Sequence, residues 1–378
     1  MERRVDVSGW VEFQWPYLVS FLGGEARVAE LARETGAFER ARKIASAPDL
    51  LRLLLFRVAG GHSFLDTATI AAEAGFADVS DAALVKRFAK SGDWLGRLVG
   101  EAIAWNEQQR LPGLSVDLID ATTIRREGSH GTDHRLHLRM DLASNCVVEA
   151  ELTDAKGGET LDRFRGTPGS VMVADAGYAH RGPLGRVARS GGQFIVRFSW
   201  SNLPLENEAS ETIDLLQTLE SLPEAEPGDF PVYFRTPEGE RIPARLVAIR
   251  KSEPAAAQAR KRVREERSKK GRQIDLRTLQ AAGFTFLLTN LPVEISAASV
   301  LALYRFRWQV EMKFKTLKSL LDLDHVPART EEGLRVWVFA KLLIALLIDA
   351  LIDQAESFSP WGYPIADRQR VAPNETPP

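Results

Sequence analysis

The stretch YRFRWQVEMKFKTLKSLL, Tyr304 to Leu321, decides how the chain is read. It has the texture of a helix, and a single acid, Glu311, stands among Arg305, Arg307, Lys313, Lys315 and Lys318. At about 100° of rotation per residue, Tyr304, Arg307, Glu311, Lys315 and Lys318 fall on one stripe of a continuous helix. Leu303, Phe306, Val310, Phe314, Leu317 and Leu321 fall on another, suited to packing on a sheet. One face is therefore expected to be buried, and another to offer a carboxylate flanked by cations. Two readings of that polar face stay open. It is either a solvated row of i,i+4 charge pairs, each worth roughly 0.2–0.5 kcal/mol, or a nuclease-like surface. In the second reading the carboxylate holds a metal ion and the cations hold phosphates of the same polyanion. The choice turns on whether other carboxylates can meet Glu311.

Two aspartates qualify. LSVDLID, after Pro112-Gly113, is a short apolar run with β-branched residues and predicts a buried strand from Leu114 that ends at Asp120. SVMVADAGY predicts another that ends near Asp175. Adjacent strands lie about 4.8 Å apart, so two strand-end aspartates can share an ion. Magnesium takes oxygen ligands and keeps several waters, so Asp120, Asp175, Glu311 and a substrate phosphate suffice as a metal site, with Mn²⁺ as its substitute.

Around these residues the chain divides by texture. Residues 1–108 read as all-helical, and within them DTATIAAEAGFADVSDAALVKRFAKS suggests helix, turn, helix. Gly75 ends the first helix and Ser80 caps the second, which would show Lys86, Arg87 and Lys90 to solvent as a candidate DNA recognition helix. A plain helical hairpin with solvated charges is the competing reading. Residues 109–200 carry strands: besides the two above, LRMDL and VVEAELT around the turn Ala143-Ser144-Asn145, then QFIVRFSW. With a helix before Asp175 and another after it, this order predicts a mixed α/β sheet. Residues 201–285 interrupt the pattern. Leu205 to Phe230 holds eight acids and no base, and Arg260 to Arg272 holds eight bases and two acids. Between them, FPVYFRTP and ARLVAIRK read as strands of a small β unit. FTFLLTNLP resumes the sheet, residues 286–352 carry the Glu311 helix, and 353–378 read as a polar tail.

Composition narrows the class. Among 378 residues the net charge is −2, so any affinity for nucleic acid must rest on local patches. The single cysteine, Cys146, excludes an intrachain disulfide and a cysteine-based zinc site and fits a reducing cytoplasm. MERRVDVSGW has no apolar signal core, and VWVFAKLLIALLI is too short to span a bilayer and carries Lys341, so a buried core helix is expected there. His134 and His137 would face opposite sides of an extended strand, which disfavours a shared zinc with His130. Asp117 is predicted on the face of its strand opposite Asp120. Glu159 reads as a helix-start residue rather than an outer partner of the site, and Trp200 as core. No phosphate-binding loop, dinucleotide glycine fingerprint or nucleophile elbow is present.

The spacing Tyr304-x2-Arg307-x3-Glu311-x6-Lys318 matches, without gaps, the YREK signature of the IS-four family of bacterial insertion-sequence transposases. IDATTI around Asp120, ADAGY around Asp175 and LLTNLP before the Glu311 helix also resemble that family, across roughly residues 110–350. The resemblance implies a ribonuclease-H-like core with a DDE triad, here Asp120, Asp175 and Glu311. It also implies a mostly β insertion, for which the 135 residues between Asp175 and Glu311 leave room. Tyr304, Arg307 and Lys318 would hold transposon-end phosphates. Some members place a base-stacking tryptophan just before the LLT strand, where this chain has Phe284-Thr285-Phe286. The expected activity is metal-dependent cleavage of double-stranded DNA at transposon ends and strand transfer into a target, by a dimer that pairs two ends. A nuclease of the same fold without joining activity, or a DNA-binding relic, are the alternatives.

Overall fold

A computed structural model describes residues 15–108, 115–166, 168–269, 271, 273–323 and 325–357. Pro112-Gly113, Leu114, Lys270, Arg272 and the expected tail from residue 358 lie outside them. Among the described residues, six helices come first in chain order: α1 (Trp15–Ser20), α2 (Gly24–Glu34), α3 (Ala47–Gly60), α4 (Phe64–Glu73), α5 (Asp81–Ala89) and α6 (Gly92–Gln108). Strands β1 (Ser115–Arg126), β2 (His134–Asp141), β3 (Val147–Asp154) and β4 (Ser170–Ala174) follow, then α7 (Arg181–Arg189) and β5 (Gln193–Arg197). Next come α8 (Leu215–Glu220), β6 (Pro227–Arg235), β7 (Arg241–Arg250), α9 (Glu253–Lys269), α10 (Leu276–Ala281) and β8 (Phe284–Thr289). The last elements are α11 (Ala297–Arg305), α12 (Trp308–Leu321), β9 (His325–Val326) and α13 (Glu331–Ser357).

The chain folds into two compact units. Of the described residues, those within 110–123 and 132–315 form the sheet unit, and those within 1–109, 124–131 and 316–378 the helical unit. In the helical unit, Ser63 and Asp66 form a capping box at the start of α4. Gly75 adopts φ +65° and Ser80 caps α5, as the sequence predicts. Arg57 of α3 is buried, with its guanidinium 3.8 Å from the Phe64 ring centre and 4.9 Å from those of Phe88 and Trp337. Burial lowers its pKa to about 10. Lys341, inside the apolar run of α13, donates to the Asp322 carbonyl at 2.8 Å. Among the described residues, no helix is long and apolar enough to cross a membrane.

The sheet unit is built on strands in the order β3-β2-β1-β4-β5-β8-β7-β6. β1, β4 and β5 are parallel neighbours, and β2–β3, β5–β8, β8–β7 and β7–β6 are antiparallel. The turn between β2 and β3 has Asn145 at φ +56°, a conformation asparagine tolerates better than most residues. Fully buried Phe194, Leu184, Phe234, Leu246 and Leu288 belong to the core that holds α7 against the sheet. A Cβ on Gly185 would stand 2.5 Å from Thr236 Cγ2, so glycine is what lets α7 approach there.

Four expectations are corrected. The 304–321 stretch is two helices: Arg307 N bonds Tyr304 O and Gln309 N bonds Phe306 O, at 3.1 and 2.9 Å, and this tight turn separates α11 from α12. Val310, Phe314 and Leu317 are buried as predicted, but the turn rotates Phe306 off their stripe, leaving it 42% exposed. β1 does not end at Asp120; the β-branched residues that follow carry it on to Arg126, where it pairs in parallel with β9. Before Asp175 there is a single 3₁₀ turn, Leu161–Arg163, and not a helix, because Gly157, Gly158, Gly166 and Pro168 surround it. Residues 201–285 are mixed rather than mostly β. β6 and β7 extend the main sheet through β8 instead of closing a separate unit, while α8, α9 and α10 fill the rest.

The strand carrying Asp120 is anchored by an ion pair. Asp117 is fully buried and accepts from Arg139 Nη1 of β2 at 3.3 Å, with Glu149 Oε2 3.0 Å from Arg139 Nε. Removing one member of a buried pair strands the other charge. Arg139→Ala is therefore expected to destabilise the fold by about 3–5 kcal/mol in urea unfolding. A loss under about 1 kcal/mol, the range of an exposed pair, would refute the anchoring role.

Candidate active site

The site begins with a register. β1 and β4 pair in parallel, and their last partners are Ile119 and Ala174. The next residue on each is an aspartate, Asp120 on β1 and Asp175 just past the end of β4. Asp120 Oδ1 accepts from the Ala121 amide at 2.8 Å. Asp175 Oδ1 accepts from the Ala176 amide at 2.7 Å, capping the 3₁₀ turn Ala176–Tyr178.

The third carboxylate arrives on α12. Glu311 lies in its first turn, and its Oε1 accepts from Arg307 Nη2 at 2.5 Å. Arg307 Nη1 is 3.8 Å from Asp120 Oδ2. Tyr304, on the last turn of α11, reaches Asp175 Oδ1 with its hydroxyl at 3.5 Å. One arginine thus spans the first and third acids while a tyrosine touches the second. The break between α11 and α12 is what sets Tyr304 and Arg307 at these angles.

The electrostatics follow from this crowding. Burial pushes the Asp120 carboxyl up to about 6; the Ala121 amide and Arg307 oppose the rise, and Glu311 and Asp175 reinforce it. Tyr304 is pushed up to about 12 by burial and by Asp175. Burial works against the Arg307 charge, yet Tyr304, Glu311 and Asp175 outweigh it and hold the guanidinium more firmly protonated than usual. Three carboxylates are an all-oxygen donor set, and by that chemistry they fit a hard divalent cation. Among the described residues no three acid, histidine or cysteine side chains are gathered into a ready-made ion cage. The acids are grouped around Arg307 instead.

Two neighbours were misjudged or missed in the sequence. Glu159 is not a helix-start residue: Thr160 caps the 3₁₀ turn that follows, through the Asp162 amide. The Glu159 carboxylate accepts from Arg135 at 3.3 Å and lies against Gly177, where a Cβ would stand 1.7 Å from Oε2. Tyr178 is fully buried with no partner for its hydroxyl among the described residues, and burial, Asp120 and Glu159 all raise its pKa. The signal available was its place in ADAGY, three residues after Asp175.

The other acids are occupied elsewhere. Asp117 serves Arg139, Asp141 caps the turn at Ser144, Glu151 pairs with Arg163 at 2.9 Å, and Asp154 holds the Lys156 and Gly157 amides. Buried His137 meets Thr153 Oγ1 through Nε2 at 3.0 Å. Trp200 packs against the core, as expected. Among the expected DNA contacts, Lys315 is exposed on α12, and Lys318 lies on the portion of that helix counted with the helical unit. Lys86 is exposed, but Arg87 is not free in solvent: its guanidinium donates to the Ala37 and Arg40 carbonyls at 3.3 and 3.4 Å.

Known proteins give this geometry its context. Residues 112–348 match the transposase DDE domain family. The transposase for insertion sequence element IS421 of Escherichia coli is 35% identical over 355 residues, covering 92% of this chain and 96% of that protein. InsL of insertion sequence element IS186A, from Escherichia coli K12, is 34% identical over 354 residues with the same coverage. The IS231F transposase of Bacillus thuringiensis subsp. israelensis is 28% identical over 237 residues, 56% of this chain and 49% of that protein. The chain belongs to the IS-four type of insertion-sequence transposases, DDE enzymes that cleave DNA and transfer its strands.

Proposed function

We propose that Asp120, Asp175 and Glu311 are the DDE triad of a cut-and-paste transposase and that they bind Mg²⁺, with Mn²⁺ as a substitute. The observation that carries this reading is the joint placement of the acids. The two aspartates follow the last paired residues of parallel strands, and Arg307 ties Glu311 to Asp120. Members of the DDE family use divalent metal ions. When bound, such ions activate water or a 3′-hydroxyl and stabilise the attacking and leaving oxygens of a phosphodiester.

The chain's own residues do the rest. Tyr304 and Arg307 hold the carboxylates in place and offset their mutual repulsion. Lys315 and Lys318 supply positive charge for transposon-end phosphates, and Arg307 and Tyr304 face the same DNA from the carboxylate side. The core is of the ribonuclease-H-like kind, supported by strands in the order 3-2-1-4-5 at one side of the sheet. Lys86 and the helices around it contact DNA outside the cleavage point, with Arg87, held on backbone carbonyls, bracing them. The enzyme works as a dimer that pairs two ends and joins them to target DNA in the bacterial cytoplasm, at the nucleoid.

Asp120→Asn, Asp175→Asn and Glu311→Gln each keep side-chain size and remove a charge the cation needs. Each is expected to abolish Mg²⁺-dependent cleavage and strand transfer on end DNA while leaving end binding within about twofold, the scale of a shift under 0.5 kcal/mol. Near wild-type cleavage by any one of them would remove that residue from the triad.

Asp120 also makes a stability prediction. Its carboxyl titrates near 6 in the fold against an ordinary value of 3.8, so the native state holds the proton longer than the unfolded chain. Stability is therefore lost as pH rises through that window and stays lower above it. In metal-free buffer, Asp120→Asn should be more stable than wild type at pH 7.5 by on the order of 2 kcal/mol, with the gap closing near pH 4. Urea unfolding at the two pH values tests this, and an Asn variant less stable than wild type at pH 7.5 would contradict it.

A further inference from the structure

The helical unit contains a cleft of about 840 Å³ between the segment that follows α2 and the helix α5. Six cations line it against two acids, Glu39 and Asp78, in a chain whose net charge is −2. Their contacts sort them into two groups. Lys43 pairs with Asp78 at 2.7 Å. Arg87 spends its guanidinium on the Ala37 and Arg40 carbonyls and lies over the Phe38 ring, with its centre 5.1 Å away. Arg87 is thus a strut between the walls. Arg40 and Arg42 on one wall, and Lys86 and Lys90 on the other, are exposed, and their side chains make no hydrogen bond or ion pair among the described residues.

Shape decides what these four charges suit. A helix that reads bases must project into the major groove and present side chains to base edges. Here the cations line the walls of a concavity, which cannot enter a groove. The convex ridge of a sugar-phosphate strand can enter a concavity. Arg87, whose planar fork would suit guanine from α5, is turned away onto backbone carbonyls.

We propose that this cleft seats the phosphate backbone of one DNA strand without reading sequence, and that α5 is a wall of that seat and not a recognition helix. The proposal rests on the reading of the chain as a transposase that acts on duplex DNA. Arg40 and Arg42 neutralise phosphates from one side, Lys86 and Lys90 from the other, and Arg87 keeps the walls in register. Each neutralised phosphate releases counterions, so the contribution is read as a salt dependence. A backbone seat also lowers affinity for every sequence alike when it is lost, whereas a base-reading element lowers discrimination.

The test uses the full chain and two probes: a duplex from the DNA bordering the element, and a scrambled duplex of the same length and composition. Binding is followed by fluorescence anisotropy across a salt titration for wild type, Arg40→Ala/Arg42→Ala and Lys86→Ala/Lys90→Ala. Paired glutamine variants guard against loss of folding, and thermal melts should match wild type because the four side chains are exposed and unpaired. Each pair is expected to reduce the salt slope by about two and to weaken binding roughly tenfold at 0.15 M salt. Both duplexes should lose affinity equally, so that their ratio is unchanged. Wild-type slope and affinity in both pairs would overturn the cleft assignment while leaving DNA binding by the enzyme intact. A selective loss on the bordering duplex would overturn it in favour of base reading, and a shift in dimerisation with the DNA slope unchanged would overturn it in favour of a protein contact. Failure of the wild-type chain to bind either duplex would instead remove the reading on which the proposal rests.

Discussion

The parallel pairing of β1 with β4 is the constraint on which the rest of the site depends. Register in a sheet is all-or-none: a slip of one residue turns every side chain to the other face. With Ile119 opposite Ala174 and both buried, Asp120 and Asp175 follow as the next residues on neighbouring strands. The register is held by core residues on both strands, Leu118 and Ile119 against Val173 and Ala174, all fully buried. The buried Asp117–Arg139 pair reinforces the same strand from its neighbour β2. The placement of the two carboxylates thus rests on hydrophobic packing one and two residues before them.

Bringing a third carboxylate to this place costs free energy, because like charges in a half-buried setting repel. Burial is the main cause of the raised pKa of Asp120, and the charges of Glu311 and Asp175 add to it. The fold offsets it with Arg307, which spans Asp120 and Glu311 and is itself stabilised by the acids around it. That role differs from the phosphate contact that the YREK resemblance implies for Arg307. An arginine held among carboxylates is positioned by them, and its charge is partly spent before any polyanion arrives.

Much of this was legible in the sequence, and the remainder has identifiable causes. β2, β3 and the turn at Asn145 were readable because alternation and turn chemistry are local signals. The buried β4 and β8 were readable as short apolar runs. Two such runs and one helical stripe mark the three acids. What escaped was non-local. Nothing in FPVYFRTP or ARLVAIRK says which sheet they join, since strand partners are chosen by packing across the whole unit. The break at Phe306-Arg307 carries no glycine or proline to announce it. β1 continues through Thr122 and Ile124, β-branched residues that favour extension but stood outside the apolar run used to end the strand. The approach of Glu159 to Gly177 and the full burial of Tyr178 are revealed only by the folded chain.

The central claim is that these three acids hold one divalent-metal centre, and it can be tested without relying on activity. Fe²⁺ in place of Mg²⁺, with ascorbate and peroxide, generates hydroxyl radicals that cut the polypeptide beside a bound ion. The cut sites are read by mass spectrometry. The account predicts three cuts, near Asp120, Asp175 and Glu311, all suppressed by excess Mg²⁺. Cuts that cluster elsewhere, or a pattern that omits Glu311 while retaining the aspartates, would contradict it.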